Sequence, residues 1–301
     1  RGPPLAELPR PEAGRLLTSW LSGCRSCAEI RRLYADHHAL LNPIHLAAAL
    51  KRSAALTRGS PRRSRDAAGV VQAVVQRVEE LSGRELSACA HSMAEMGAPV
   101  LGPVSVVGIE ALGARAQEVR HTLDPQGVAN LLWACASVRA SCPGLFHLLA
   151  GDATSRLAGF KTQEAANVVW SYAAVGARQA PEVVAAAAPF LAGAARGARP
   201  QEVAAVAWSA GAVRVMPPEL LRCLEAEVLH RATAFPPRDL SNLCWGLARA
   251  RAALSPTALQ ALTSAARAAA PTPQGVANIA WAFATLAPAD SQVQDAVRHL
   301  G

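Results

Sequence analysis

A length of 301 residues corresponds to about two average domains and is too long for one conventional hydrophobic core. Hydrophobic residues make up 51% and charged residues only 17%, which excludes disorder as the state of the whole chain. The net charge is +8, from 30 cations against 22 acids, and all but Lys51 and Lys161 of those cations are arginine. Such a balance permits a nucleic-acid or acidic-membrane partner, because arginine offers a planar fork to phosphate, although a GC-rich coding sequence would also write both Arg and Ala.

Alanine dominates and β-branched runs are few, so an all-α protein is expected. Residues 1–40 read as a helical lead-in or cap, and 11–40, with Trp20, Ile30 and Leu33 on helical spacing, as a helix or helix pair. The chain begins at Arg1 rather than Met, which fits an imported protein whose leader is absent, or any trimmed chain. Cys24 and Cys27 form a lone CxxC with no second ligand pair at finger-like distance, so no metal site is expected. The seven scattered cysteines read as small hydrophobes in a reducing compartment.

From about residue 41 onward a repeat governs the sequence. Trp133, Trp170, Trp208, Trp245 and Trp281 are 37, 38, 37 and 36 residues apart. They sit in similar words: PQGVANLLWACA, TQEAANVVWSYA, PQEVAAVAWSAG, PRDLSNLCWGLA and PQGVANIAWAFA. Two weaker copies precede them, with His91 and Lys51 at the Trp position. First helices are therefore expected near 43–56, 84–97, 125–138, 162–175, 200–213, 237–250 and 273–286. Proline opens most of them, because its missing N–H is one a helix leaves unpaired anyway. Thr162 or the residue before each Pro can cap, and Glu164, Glu202 and Asp239 meet the helix dipole.

Between the words lie second apolar helices, near 143–158, 179–195, 217–232, 255–269 and 289–300. The whole reads as a single elongated α-solenoid over 41–301, made of about seven two-helix repeats of 36–42 residues. No stretch of 18 residues stays apolar and uncharged; the Ala-rich segment 183–195 is short and is expected to be broken by Pro189. Membrane insertion is therefore not expected.

Counting from each Trp, the helical wheel leaves positions −7, −6, −3 and +1 as the open sector. It carries Gln126, Gln163, Gln201 and Gln274 with Asn130, Asn167, Asn242 and Asn278 one turn later. The asparagines read first as a structural ladder bonding neighbouring repeats, and second as amides for base edges. The tryptophans read as core in preference to a stacking platform. Positions +4 and +6 vary between repeats and bring Arg249, Arg139, Arg214 and Arg251 to one edge; Arg178 and Arg199 add charge to nearby turns. A line of arginines suits phosphates. A denser run without acids, holding Lys51, Arg52, Arg58, Arg62, Arg63 and Arg65, includes a loop broken by Gly59, Ser60 and Pro61 and is a candidate RNA-backbone contact.

The 36–38 residue period and the P-Q-x-V-A-N-x-x-W-A-x-A words resemble the octotricopeptide repeat family and the related heptatricopeptide repeats. The lead-in IRRLYADHHALLNPIHLAAALKRSAAL (30–56) is similar to the start of such arrays, and the resemblance covers about residues 28–300. It implies an α-solenoid of mitochondria, or alternatively plastids, that binds RNA. The expected role is a non-catalytic component of an organellar ribosome, with rRNA favoured as partner and other proteins of a large ribonucleoprotein assembly alongside. A protein–protein scaffold, or a transcript maturation or stability factor, is the alternative. The chain departs from the pattern at Ala205, where Asn is expected, and at His91 and Lys51. No nucleotide-binding Gly loop or nucleophile setting occurs, so no catalytic residue, cofactor or small-molecule substrate is expected.

Overall fold

The computed structural model describes residues 8–60, 62–288, 294, 295 and 298. Among them are fifteen α-helices and no strand. The chain divides into two units, Arg1–Leu149 and Ala150–Gly301. The first holds α1 (Arg10–Gly23), α2 (Cys27–His37), α3 (Pro43–Thr57), α4 (Arg65–Val75), α5 (Gly83–Leu101), α6 (Val104–Glu118) and α7 (Pro125–Val138), with α8 (Pro143–Ser155) at the division. The second holds α9 (Thr162–Ala174), α10 (Ala180–Ala194), α11 (Pro200–Val213), α12 (Pro218–Arg231), α13 (Pro237–Arg249), α14 (Pro256–Ala268) and α15 (Pro273–Leu286).

Within each unit, helical hairpins stack in sequence order, as in an α-solenoid. In the first unit α1, α3, α5 and α7 pack in succession, and α2, α4 and α6 form a parallel layer. In the second unit α9, α11, α13 and α15 form one layer and α10, α12 and α14 the other. Within a unit, an interior first helix such as α3, α5, α11 or α13 is thus covered by neighbours before and after it and by the second-helix layer. That explains why these helices are apolar over most of their circumference.

Local signals explain the helix starts. Asp124 and Thr272, each just before a proline, accept from the amides of Gly127 at 2.6 Å and Gly275 at 3.3 Å. Thr162 does not cap; it is the first residue of α9, and Glu164 accepts from the Lys161 amide at 2.9 Å instead. Glu202 closes α11 in the same way through the Arg199 amide at 3.1 Å. A single 3-10 turn precedes five of the first helices, at 78–80, 120–122, 157–159, 195–197 and 232–234. The residue after each turn, ten before the Trp position, is buried: Leu81, Leu123, Phe160, Ala198 and Phe235. It plugs the corner between one hairpin and the next.

The lead-in is a pair of helices, one of the two forms expected, and it extends both layers, α1 on α3 and α2 on α4. One expectation changes. Pro189 does not break its segment: α10 runs through it, held by the buried Val183, Val184, Ala187, Ala188 and Leu191. α5 bends at Gly97, whose φ is +59°, just before Pro99. Most of the expected last helix, 289–300, lies outside the described residues.

Within the first-helix layer, α11 and α13 cross in very close contact. A Cβ on Gly246 would strike the Ala207 carbonyl and lie 2.7 Å from the Trp208 amide nitrogen, while one on Gly211 would lie 2.6 Å from the Gly246 Cα. Gly246→Ala is expected to cost about 1–3 kcal/mol by overpacking, despite alanine's better helix propensity. Gly193→Ala, exposed in α10 with nothing within 4 Å of the added Cβ, is expected to gain about 0.5–1 kcal/mol. Denaturant unfolding of the two variants checks both signs.

Candidate functional site

The small residue just after each Trp sets the orientation of the first helices. Ala134, Ser171, Ser209, Gly246 and Ala282 are all buried. Ser171 and Ser209 donate to the carbonyls of Asn167 and Ala205, both at 2.6 Å, so each satisfies its own hydroxyl. The open sector is therefore not −7, −6, −3 and +1. Position +1 is buried in all five Trp repeats, and −6 is buried at Gly127, Glu202 and Gly275. The open stripe is −7, −3, 0 and +4, an arc of about 60° at 100° per residue. Relative to the sequence expectation it is rotated by roughly 40° toward the tryptophans.

That rotation brings the indoles out. Trp133, Trp170, Trp208 and Trp245 are half-buried and Trp281 is 44% exposed, so the row is not the core it was expected to be. In the second unit Trp208 stacks on Trp245 with ring centroids 5.8 Å apart and 23° between planes, and Trp281 follows at 6.4 Å. In the first unit His91 lies against Trp133 at 5.0 Å.

The amides share this stripe. Gln126, Gln163, Gln201 and Gln274 are exposed; Arg238 takes that place in α13. Asn130, Asn167 and Asn242 are half-buried, and their side chains make no hydrogen bond to a described residue. Asn278 accepts from Gln274 at 3.1 Å within its own helix. The expected structural ladder between repeats is thus not formed. Both amide positions lie in the open stripe, where the wheel placed them, and not in the seam between neighbouring helices.

The arginines fall into two populations. Arg77, Arg115 and Arg231 stand at or just past the ends of second helices and reach back 36 residues to a backbone carbonyl of the preceding hairpin: Leu41 at 2.8 Å, Glu79 at 2.9 Å and Ala195 at 3.3 Å. Arg231 also donates to Ala198 at 2.7 Å and pairs with the buried Glu227 at 2.6 Å. Arg77 and Arg115 pair with Glu80 and Glu118, both at 2.6 Å. The Arg77 pair holds the Glu80 carboxyl below its ordinary range, mainly through the hydrogen bond. These clamps were missed because the Trp words dominate the period; the signal for Arg77 and Arg231 was an Arg fourteen residues before the Trp position, repeated at Arg156 and Arg267, whereas Arg115 stands eighteen before Trp133.

The second population carries the charge outward. Arg139, Arg214 and Arg251 sit six residues after a Trp, with φ of +56°, +57° and +54°. Gly176 holds the same place after Trp170, with φ +64°. A left-handed residue ends each of these helices, where glycine is the unstrained choice. Arginine there costs about 1–2 kcal/mol. Arg139, Arg178, Arg214 and Arg251 are exposed and Arg249 half-buried, and none forms an ion pair with a described residue.

The basic run is divided. Lys51 occupies the open stripe of α3, while Arg52 donates to the Cys24 carbonyl at 2.8 Å. Arg58 lies 3.8 Å from Glu95, and Arg63 rests over Gly102. Arg62 and Arg65 are exposed; Pro61 lies outside the described residues. Arg199 is tied to Glu202 at 2.7 Å. Cys24 and Cys27 are buried, and burial raises both thiols. Among the described residues no group of three potential ligands is placed to hold a metal, and no helix is long and apolar enough to cross a membrane.

No protein-family model matches the chain, and no curated protein matches it. The clamp and edge arginines are separable by experiment. Arg231→Met strands the buried Glu227 and is expected to lose about 3 kcal/mol of unfolding free energy. Arg251→Gly, which relieves a left-handed residue, is expected to leave stability unchanged or raise it by up to about 1 kcal/mol. Denaturant melts of the two single variants measure both.

Proposed function

We propose that this chain is a non-catalytic, sequence-tolerant RNA-binding protein that holds single-stranded segments along its first-helix stripes. The observation that carries the reading is the open stripe itself: Asn and Gln amides with no bond between repeats beside half-exposed indoles, with unpaired arginines at the same helix ends. Indole faces stack bases of any identity, an amide supplies both a donor and an acceptor, and arginine forks take phosphate. Because Asn recurs in four of the five strong repeats, it does not discriminate bases along a strand.

The three left-handed arginines favour a function over a purely structural role. A strained residue kept where glycine fits, in three hairpins of four, points to what its side chain does. Resemblance to the octotricopeptide and heptatricopeptide repeats supports a place in an organellar ribonucleoprotein, mitochondrial or alternatively of plastids, with rRNA and other proteins as partners. A protein–protein scaffold is the second reading, favoured by Ile44, 61% exposed at the −7 position of α3 where later repeats carry Gln.

Fluorescence anisotropy with a single-stranded oligonucleotide over a salt series tests the assignment. Exchanging Asn130, Asn167, Asn242 and Asn278 for Ala is expected to weaken binding about tenfold or more without changing the salt slope. Replacing Arg58, Arg62, Arg63 and Arg65 by Gln is expected to lower the slope by about 0.7 for each phosphate that is no longer neutralised. Binding indifferent to both sets moves the assignment to the scaffold.

A further inference from the structure

We infer that the second unit contains a discrete nucleotide pocket where α13 ends. A groove of about 440 Å³ is lined by Arg214, Arg249 and Arg251, with Trp281 and Thr285 also on its surface. That volume lies within the range of small-ligand sites. A second cavity, of about 10 Å³ between α10, α11 and α12 and lined mainly by apolar side chains, has room for no more than a water.

Three arginines line one groove without a carboxylate partner among the described residues. Their mutual repulsion is relieved by a ligand that brings negative charge, and planar forks match phosphate oxygens. Two of the three, Arg214 and Arg251, are left-handed residues whose backbone would be relaxed by glycine, so the arrangement is kept against a local cost. The indole of Trp281, 44% exposed, adds an aromatic surface on which a base stacks. Thr285 Oγ1 donates to the Trp281 carbonyl at 2.8 Å, so its proton is committed and only lone pairs face a ligand. It accepts from a donor such as a ribose hydroxyl or an exocyclic amine. Phosphate, sugar and base thus each find a matching group. An acidic peptide uses only the arginines.

The pocket rests on the RNA reading only for where the nucleotide comes from: a position in a strand, or a free mononucleotide. The test follows the indole N–H of Trp281 in the 15N-labelled full chain, assigned through Trp281→Phe. Probes are AMP, adenosine, inorganic phosphate, a single-stranded oligoadenylate and a poly-glutamate peptide. AMP and oligoadenylate are expected to shift this resonance, with adenosine at least about tenfold weaker. In R214G/R249Q/R251G, whose unchanged remaining indole signals report folding, AMP affinity is expected to fall at least about tenfold.

Tighter binding of oligoadenylate than of AMP identifies a strand as the source. A shift by AMP with oligoadenylate silent keeps the pocket and removes the RNA reading. Oligoadenylate bound by the chain while neither it nor AMP moves Trp281 keeps the RNA reading and overturns the pocket. The pocket is equally overturned by an AMP shift that survives the triple variant, or by a response to poly-glutamate with AMP silent.

Discussion

Everything on the candidate face depends on how closely successive first helices approach one another. At the crossing of α11 and α13, backbone meets backbone at Gly246 and Gly211, with no room for a methyl group. A small residue follows each of the five repeat tryptophans, and the large side chain beside it is turned away from the neighbouring helix. The indole is turned out of the seam onto the surface, and the residues one turn before and after it come with it. Close packing in the layer and exposure of a chemically mixed stripe are therefore one geometric fact. At such a close crossing area-based stabilisation and dispersion are gathered most densely.

Charge is organised around the same layers in two ways. Clamp arginines are consumed by structure: each reaches back one hairpin to carbonyls at its corner and carries its own carboxylate partner. A hydrogen bond from a charged donor is worth about 1.5–3 kcal/mol, comparable to burying a large aliphatic side chain. Edge arginines contribute nothing comparable to folding, and three of them carry a backbone cost. The net +8 is thus less an average property of the surface than the residue left after internal pairing. Much of that residue stands at the C-terminal ends of first helices, where a cation also meets the favourable end of the helix dipole.

The architecture was largely legible in the sequence because the Trp spacing counts hairpins directly and proline marks where they begin. What the wheel placed wrongly was the rotation of each helix by a fraction of a turn. Trp looks like core by size, yet the nearly invariant smallness of +1, from Ala134 to Ala282, held the information about which side faces a neighbour. The left-handed arginines were named as candidates for their charge alone; backbone conformation is hidden when the residue is not glycine, although Gly176 at the same place was the hint. The Arg77, Arg115 and Arg231 clamps were invisible for a different reason: their acceptors are carbonyls, which carry no sequence identity. The α1–α2 pair lacks the repeat words altogether and joins the array by packing.

The left-handed turn after the first helix has a consequence for how such a protein changes over generations. Because the chain already takes this conformation at Arg139, Gly176, Arg214 and Arg251, exchanging glycine and arginine there leaves the helices on either side in place. Each hairpin can gain or lose a positive charge at its edge independently of its neighbours, at a stability difference of about 1 kcal/mol that a single packed hairpin absorbs. The array thus behaves as a row of separate switches: grip on a polyanion is adjustable one codon at a time, without redesigning the scaffold.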